Sequence, residues 1–547
     1  PSVMVSSASS SLKPEGTQYP LVLGLGGSAG AVGALQHFFD AVPEKPGIAF
    51  VVVMHLAPEE KSQLAEILES HTSLPVTQVT EPTELEINHV YVTAPGRTLL
   101  VEDTTLVPHK LKDFKERQSP IDQFFRSLAG GTLKPMAAVL SGAGTDGSVG
   151  LRAITEAGGI TGAQDPSEAE HDSMPRSAIE TSPVDFVLPV AELARRFSQQ
   201  KTLVHRLNLP SEPDKLGEEE SKTLNKIFEL VRARTGHDFS EYKQSTMLRR
   251  IQRRLQVHQK SSIAEYLNFL KEHPGEITAL QKDFLISVTN FFRDPDAFEV
   301  LREKGIPALF SKKGPNDQVR VWVVGCATGE EAYSVAMLLL EQAASVNFPT
   351  DQIQVFASDI DEEALATARQ GQYPESIAAD VPEQYLTRFF KREGLKYVVR
   401  KVVQERILFT PHSLLKDPPF SNIDLISCRN LLIYLRRDLQ RSVFDLFSYA
   451  LNDDGYLFLG SSESVDLAED EFQIVDKKAR LFQRSDGVRT VPQLPSMPLA
   501  PRMKVPIQRG MFGEEPGPAA ATLHRRMLEA YAPPSVVVDD KHTLVHL

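Results

Sequence analysis

The 547 residues are enough for three or four domains at roughly 100–200 residues each. A net charge of −13 excludes a general nucleic-acid binder, which would need a basic face. Two cysteines, Cys326 and Cys428, lie too far apart for a zinc spacing or a disulfide framework and fit a reducing cytoplasm; no apolar run of about 18 residues offers a membrane span.

The Ser-rich stretch 1–18 has no apolar core and reads as a disordered leader rather than a signal peptide. From Leu21 onward, short apolar runs alternate with helical patterns. Leu21–Leu25, Ile48–Met54, Val90–Thr93, Ala137–Leu140 and Val184–Leu188 read as buried strands, with Ala31–Asp40 and Lys61–Ser70 as helices between them. That alternation predicts a parallel sheet flanked by helices over 19–205. A polar linker follows at 206–221. Residues 222–300 read as helices only. Over 301–487 the runs Val319–Val324, Ile353–Ala357, Ile423–Ile426 and Gly455–Leu459 predict a second α/β domain, and Leu395–Leu408 a small antiparallel addition. The expected fold is therefore α/β, with two parallel-sheet (Rossmann-like) domains, the second preceded by an all-helical subdomain. Residues 488–517 are a Pro/Gly-rich linker. A short helix, Ala520–Tyr531, leads into a strand that the chain ends within, so a continuation is expected.

The first strand runs into Gly26-Gly27-Ser28-Ala29-Gly30 and then a helix. Gly-x-Ser-x-Gly at a strand-to-helix turn fits a nucleophile elbow, with backbone N–H groups at the helix start to hold an oxyanion. Gly24-x-Gly26-x-x-Ala29 also fits a dinucleotide fingerprint, but that reading needs an acid at the end of the second strand. The second strand ends in His55 instead, which suits a base beside a nucleophile. A third strand-end loop, Ser141 to Gly147, carries Asp146, placed to orient that histidine. Singly, each residue has a plainer role as helix cap, core histidine or turn; together they predict one catalytic edge.

GLGGSAGAVGAL, VVVMHLAPEEKSQLAEIL, SPIDQFFRSLA and VLSGAGTDGSVGLRAI resemble the catalytic domain of the chemotaxis protein-glutamate methylesterase (CheB type). The resemblance implies Ser28 as nucleophile, His55 as base, Asp146 as orienter and the N–H of Ala143 as an oxyanion donor. It also implies glutamine deamidation by the same route. The chain departs from that family at Ala29-Gly30-Ala31, usually Thr-Gly-Gly, and at Ala143, usually Met. No receiver domain stands before residue 19, so control is expected from elsewhere.

In the second α/β domain a Gly-rich turn, Gly325 to Gly329, follows the first strand, and Asp359 ends the next. A close backbone and an acid for a ribose diol suit a nucleoside ligand, and Glu330 suits a cationic methionyl group. ISVTNFFRDPDAFEVL, VWVVGCATGEEAYSVAMLL and IDLISCRNLLIYL resemble the chemotaxis protein-glutamate methyltransferase (CheR type), from about 225 to 487. The resemblance implies S-adenosylmethionine as cofactor. It implies Ser287, Thr289, Arg293, Glu330, Asp359, Ser413, Cys428 and Arg429 around that cofactor, within the segment Cys428-Arg429-Asn430, and Arg293 and Tyr434 near the transferring methyl. Ser287 and Ser413 stand where the family often has Asn.

The helix around Met247–His258 carries Arg249, Arg250, Arg253 and Arg254. These predict either a solvated face with intrahelical pairs or a basic surface that docks acidic receptor helices. Tyr531 to Asp540 resembles the opening strand of a PAS sensor domain, which implies PAS or histidine-kinase modules in a longer chain. The expected partner is a chemoreceptor-like protein with methylatable glutamates, met in the cytoplasm. Two rivals stand: an active methyltransferase whose esterase domain is a silent scaffold, and a methyltransferase acting on small molecules.

Overall fold

The computed structural model describes residues 20–55, 63–111, 119–200, 216–285, 289–314, 316–485, 537–538 and 544–546. The expected leader at 1–18, Ser287, the 488–517 linker and the helix Ala520–Tyr531 lie outside the described residues.

Among the described residues of the N-terminal half, ten strands form. They are β1 (Leu21–Gly27), β2 (Ala49–Met54), β3 (Val76–Val79), β4 (Thr83–Glu84), β5 (His89–Thr93), β6 (Arg97–Glu102), β7 (Thr105–Lys110), β8 (Lys134–Val139), β9 (Ile160–Gln164) and β10 (Phe186–Leu188). Seven form one sheet in the order β10-β9-β8-β1-β2-β5-β3, every neighbouring pair parallel. All six residues of β2, AFVVVM, are buried, as expected for a parallel strand covered on both faces. One face packs on Leu35, Phe38 and Phe39 of the helix Ala31–Asp40 and on Phe197. The other packs on Ile121, Phe124 and Phe125 of Pro120–Gly130 and on Leu151 and Ile154. β4, β6 and β7 make a separate antiparallel sheet.

Helices Glu218–Thr235, Gln244–Val257, Ile263–Glu272 and Pro274–Leu285 follow, closed around Ile227, Val231, Ile251, Tyr266 and Leu280. The second α/β part holds β11 (Val319–Val324), β12 (Ile353–Asp359), β13 (Gln372–Pro374), β14 (Phe390–Glu393), β15 (Lys396–Val399), β16 (Ile407–Pro411), β17 (Ile423–Cys428), β18 (Leu451–Leu459), β19 (Phe472–Asp476) and β20 (Leu481–Arg484). Their main sheet runs β16-β12-β11-β17-β18-β20-β19, parallel up to β18 and antiparallel beyond it. The antiparallel addition expected at Leu395–Leu408 is only half there. Lys396–Val399 joins β13 and β14, but Ile407 onward pairs in parallel with β12 as an edge of the main sheet. Residues 20–485 fall within one compact unit. A separate unit contains the antiparallel pair β21 (Val537–Val538) and β22 (Leu544–His546). Among the described residues no helix is long and apolar enough to cross a membrane.

Close approach of the helix Pro120–Gly130 to β1 needs a bare backbone. A Cβ at Gly26 would meet Ile121 Cγ2 at 2.4 Å and Phe125 Cζ at 3.3 Å. Gly26→Ala is expected to lower stability by about 1–3 kcal/mol through overpacking, read as a lower urea midpoint with an unchanged slope.

Candidate active sites

Parallel register builds the first site. Gly27 pairs with Met54, so Ser28 and His55 each step off the end of neighbouring strands at the same level. Gly30 turns the chain into the helix at φ +73°. His55 Nε2 lies 2.8 Å from Asp146 Oδ2. Asp146 is buried and accepts backbone N–H bonds from Ile121, Asp122 and Gly147, each at 2.9 Å. The first two belong to the opening turn of Pro120–Gly130, where N–H groups have no partner within the helix. Nε2 is thus engaged, leaving Nδ1 to serve a nucleophile. The Ser28 N–H donates to Ser141 O at 3.0 Å, but no hydrogen bond joins the Ser28 hydroxyl to His55 among the described residues. Around Ala143, the Gly142 N–H is bonded to His171 O and the Gly144 N–H to Ser173 Oγ. The exposed Ala143 donates its own N–H to no protein group among the described residues.

A cavity of about 190 Å³ lies against His55 and Asp146. Its far wall comes from the C-terminal half: Glu375, Ser376, Ala378 and Ala379. Ser376 N–H donates to Thr145 Oγ1 at 3.3 Å, and Arg126 grips Asp380 through two bonds of 2.6 and 2.7 Å.

The second cavity lies at the ends of β11 and β12. Thr289, Arg293, Asp359, Ser413, Arg429 and Tyr434, all expected there, line it. Asp359 accepts from Ala327 N–H at 2.8 Å and Asp361 N–H at 2.9 Å, and burial pushes its pKa above the usual range. Glu330 is not among the lining residues. It accepts from the Thr328 hydroxyl at 2.6 Å and pairs with Arg152 of the first domain at 3.2 Å. The next residue, Glu331, lines the cavity and accepts from the Ser427 hydroxyl at 2.7 Å. Cys428 is fully buried and does not line it. Arg429 lines it but serves the protein: Nη1 donates to the backbone Arg293 O and Nη2 to the side-chain Asp294 Oδ2, both at 2.7 Å. It thereby holds a segment in which Phe292 and Asp294 both sit at positive φ.

Two residues went unnoticed in the sequence. Glu463 is buried and accepts N–H bonds from Gly460, Asn430, Leu432 and Ile433, pinning the loop that carries Tyr434. Glu156, from the first domain, lines the second cavity, with Oε1 3.1 Å from Arg293 Nη2. Only its position after a run of helical residues was visible in the sequence. On the arginine helix Arg249 stays exposed and Arg254 contacts His258 one turn on at 2.9 Å, as one expectation had it, but the other two arginines turn inward. Arg250 and Arg253 are buried, bonding Thr155 O, Glu156 O and Gly159 O, with Arg253 also on Asp185.

Comparisons with known proteins cover both α/β parts and the helices between them. Residues 287–481 match the CheR methyltransferase SAM-binding domain, 222–285 the CheR methyltransferase all-alpha domain, and 23–197 CheB methylesterase. The chain is 32% identical over 269 residues to a putative methyltransferase, Cher3, of Pseudomonas putida, covering 47% of this chain and 95% of that one. It is 32% identical over 261 residues to the chemotaxis protein methyltransferase of Escherichia coli, covering 46% and 86%. An uncharacterized 104.1 kDa protein of Rhodobacter capsulatus is 34% identical over 518 residues, 88% of this chain. The chain spans 52%, about half, of that relative's length. The Thermotoga maritima CheB methylesterase catalytic domain is similar at 26% identity and a TM-score of 0.30, over 34% of this chain and 98% of that one. The chain belongs to the chemotaxis protein methyltransferase family. It carries a CheB methylesterase domain and a CheR S-adenosylmethionine-binding domain on one polypeptide.

Asp122 gives a pH test of the esterase edge. Burial, and then the nearby Asp146, push its pKa well above the carboxylate range. Its Oδ1 accepts from Gly150 N–H at 2.6 Å while Oδ2 has no partner among the described residues. A carboxyl with a raised pKa in the folded chain keeps its proton there after the unfolded chain has lost it. Stability therefore falls as pH rises from about 4 toward the raised value. Asp122→Asn keeps the acceptor and cannot ionise. Relative to the parent, it is expected to be more stable at pH 8 than at pH 5, checked by denaturant unfolding at both.

Proposed function

We propose that the chain methylates glutamates of a chemoreceptor-like protein and hydrolyses the resulting methyl esters. The observation that carries the reading is that each half gathers its residues at the carboxyl ends of parallel strands. There Asp146 bonds His55, which follows the strand next to that of Ser28, and Arg293, Tyr434 and Asp359 line one cavity.

In the esterase, Ser28 attacks the ester carbonyl and passes its proton to His55. The N–H of Ala143 stabilises the oxyanion, methanol leaves, and water releases the glutamate. Glutamine deamidation runs by the same steps, with ammonia as the leaving group. In the methyltransferase, Thr289, Glu331, Asp359 and Ser413 would hold S-adenosylmethionine. The Gly-rich turn, a strand-end acid and the apolar walls of Phe284, Leu285 and Leu414 fit a nucleoside joined to a cation. Glu330 acts through Arg152 rather than on the cofactor. When bound, S-adenosylmethionine supplies a methyl group activated by its sulfonium. An acceptor glutamate, with a pKa of about 4.3, is already ionised at neutral pH, so no general base is needed. Arg293 steers that carboxylate. Tyr434, whose hydroxyl makes no protein hydrogen bond among the described residues, positions it.

The cytoplasm suits two free, buried cysteines. The sequence from Tyr531 to Asp540 is what supports a PAS-like module after the linker. A second reading, a silent esterase domain that serves as a scaffold, is favoured by the missing Ser28–His55 bond and by the wall that residues 375–379 build over the cavity.

Labelled S-adenosylmethionine and receptor-bearing membranes test both readings. Base-labile label on protein, with methanol released by the chain but not by Ser28→Ala, is expected. Equal methanol release from Ser28→Ala leaves the scaffold. Label on metabolites with none on protein would exclude the receptor reading. Asp380→Asn weakens the clamp on Arg126 and is expected to raise methanol release several-fold in the same assay.

A further inference from the structure

The methyltransferase cavity contains a carboxylate from another domain. Its acidic lining residues are Glu156, Glu331 and Asp359. Asp359 is fixed by two backbone N–H groups and Glu331 by Ser427. Glu156 instead ends a helix of the esterase domain, Ser148–Glu156, and meets Arg293, the residue assigned above to the acceptor carboxylate. Tyr434 lines the same cavity.

The backbone is held as firmly as the side chain. Arg250 donates from Nη1 to Thr155 O and from Nη2 to Glu156 O, both at 2.5 Å, capping the helix at its C-terminal carbonyls. Arg253 adds a bond to Gly159 O at 2.8 Å and a two-oxygen grip on Asp185. Arginine residues that suit the docking of a glutamate-bearing helix thus hold a helix of their own chain, one that ends in glutamate. An ion pair made only to join domains has no need to lie in the cofactor cavity beside Tyr434.

We infer that Glu156 is itself a methyl acceptor, so that the chain esterifies its own esterase domain. The inference rests on the assignment of Arg293 and Tyr434 to the acceptor site. One Glu156 oxygen forms a bond to the methyl carbon. The carbon–sulfur bond breaks and its electron pair stays on sulfur, which becomes a neutral thioether. No proton moves, and the product is a neutral, base-labile γ-methyl ester. The ester no longer carries the charge that pairs with Arg293, so esterification loosens the contact between the domains.

The test uses the full chain as Ser28→Ala, which retains any ester formed. It is incubated with S-adenosylmethionine, with and without receptor-bearing membranes. Cleavage after Arg152 and Arg176 gives one peptide that contains Glu156, Glu168 and Glu170. Mass spectrometry is expected to find a base-labile methyl on Glu156 and none on the other two, lost when Glu156→Gln is added. Once the cofactor is removed, the esterified chain is expected to exchange backbone hydrogens faster over residues 148–156 than the unmodified chain. Methyl on the receptor with none on Glu156 overturns this inference and leaves the acceptor-site assignment standing. Methyl on neither overturns both.

Discussion

Backbone N–H groups at the ends of strands and helices must find acceptors, and in both halves a buried carboxylate provides them. Asp146 takes three, from the start of one helix and the loop of its own strand, and its remaining capacity holds His55. Glu463 takes four and fixes the loop that carries Tyr434. A buried donor left without a partner costs about 1–3 kcal/mol. These two carboxylates therefore position His55 and the loop of Tyr434 and hold the sheet edges together at the same time.

Much of this was legible in the sequence, for identifiable reasons. β1 and β2 are continuous apolar runs, and parallel pairing puts their ends level, so Ser28 and His55 could be placed together from sequence alone. β3 and β9 were not visible. VTQV is half polar and ITGAQ carries Gly and Gln, so neither has the pattern of a buried strand. The choice between Glu330 and Glu331 was also out of reach. Consecutive helical residues point about 100° apart, so the two meet different surroundings, and which partners they find, Arg152 for Glu330 and Ser427 for Glu331, is set by the fold. Ion pairs between domains leave no local pattern at all, which is why Glu156, Asp380 and the fate of the arginine helix came only from the fold.

Those ion pairs change how the two chemistries relate. The seam between the halves is made largely of guanidinium groups on carbonyls and carboxylates, such as Arg250, Arg253, Arg126 and Arg152. The methyltransferase half walls the esterase cavity, and the esterase half enters the methyltransferase cavity. Opposed reactions that ran together would only consume cofactor. In this arrangement, separating the halves uncovers both cavities at once.

Cys326 and Cys428 lie beneath the methyltransferase sheet edge, and burial raises both thiols well above their usual pKa. The thiolate is the reactive form, so both are poor targets for alkylating reagents while the fold is intact. A cysteine introduced on each side of the seam would thus be labelled against a quiet background. Spectroscopic rulers could then follow the distance between the halves in the native sequence, without first removing its own sulfur.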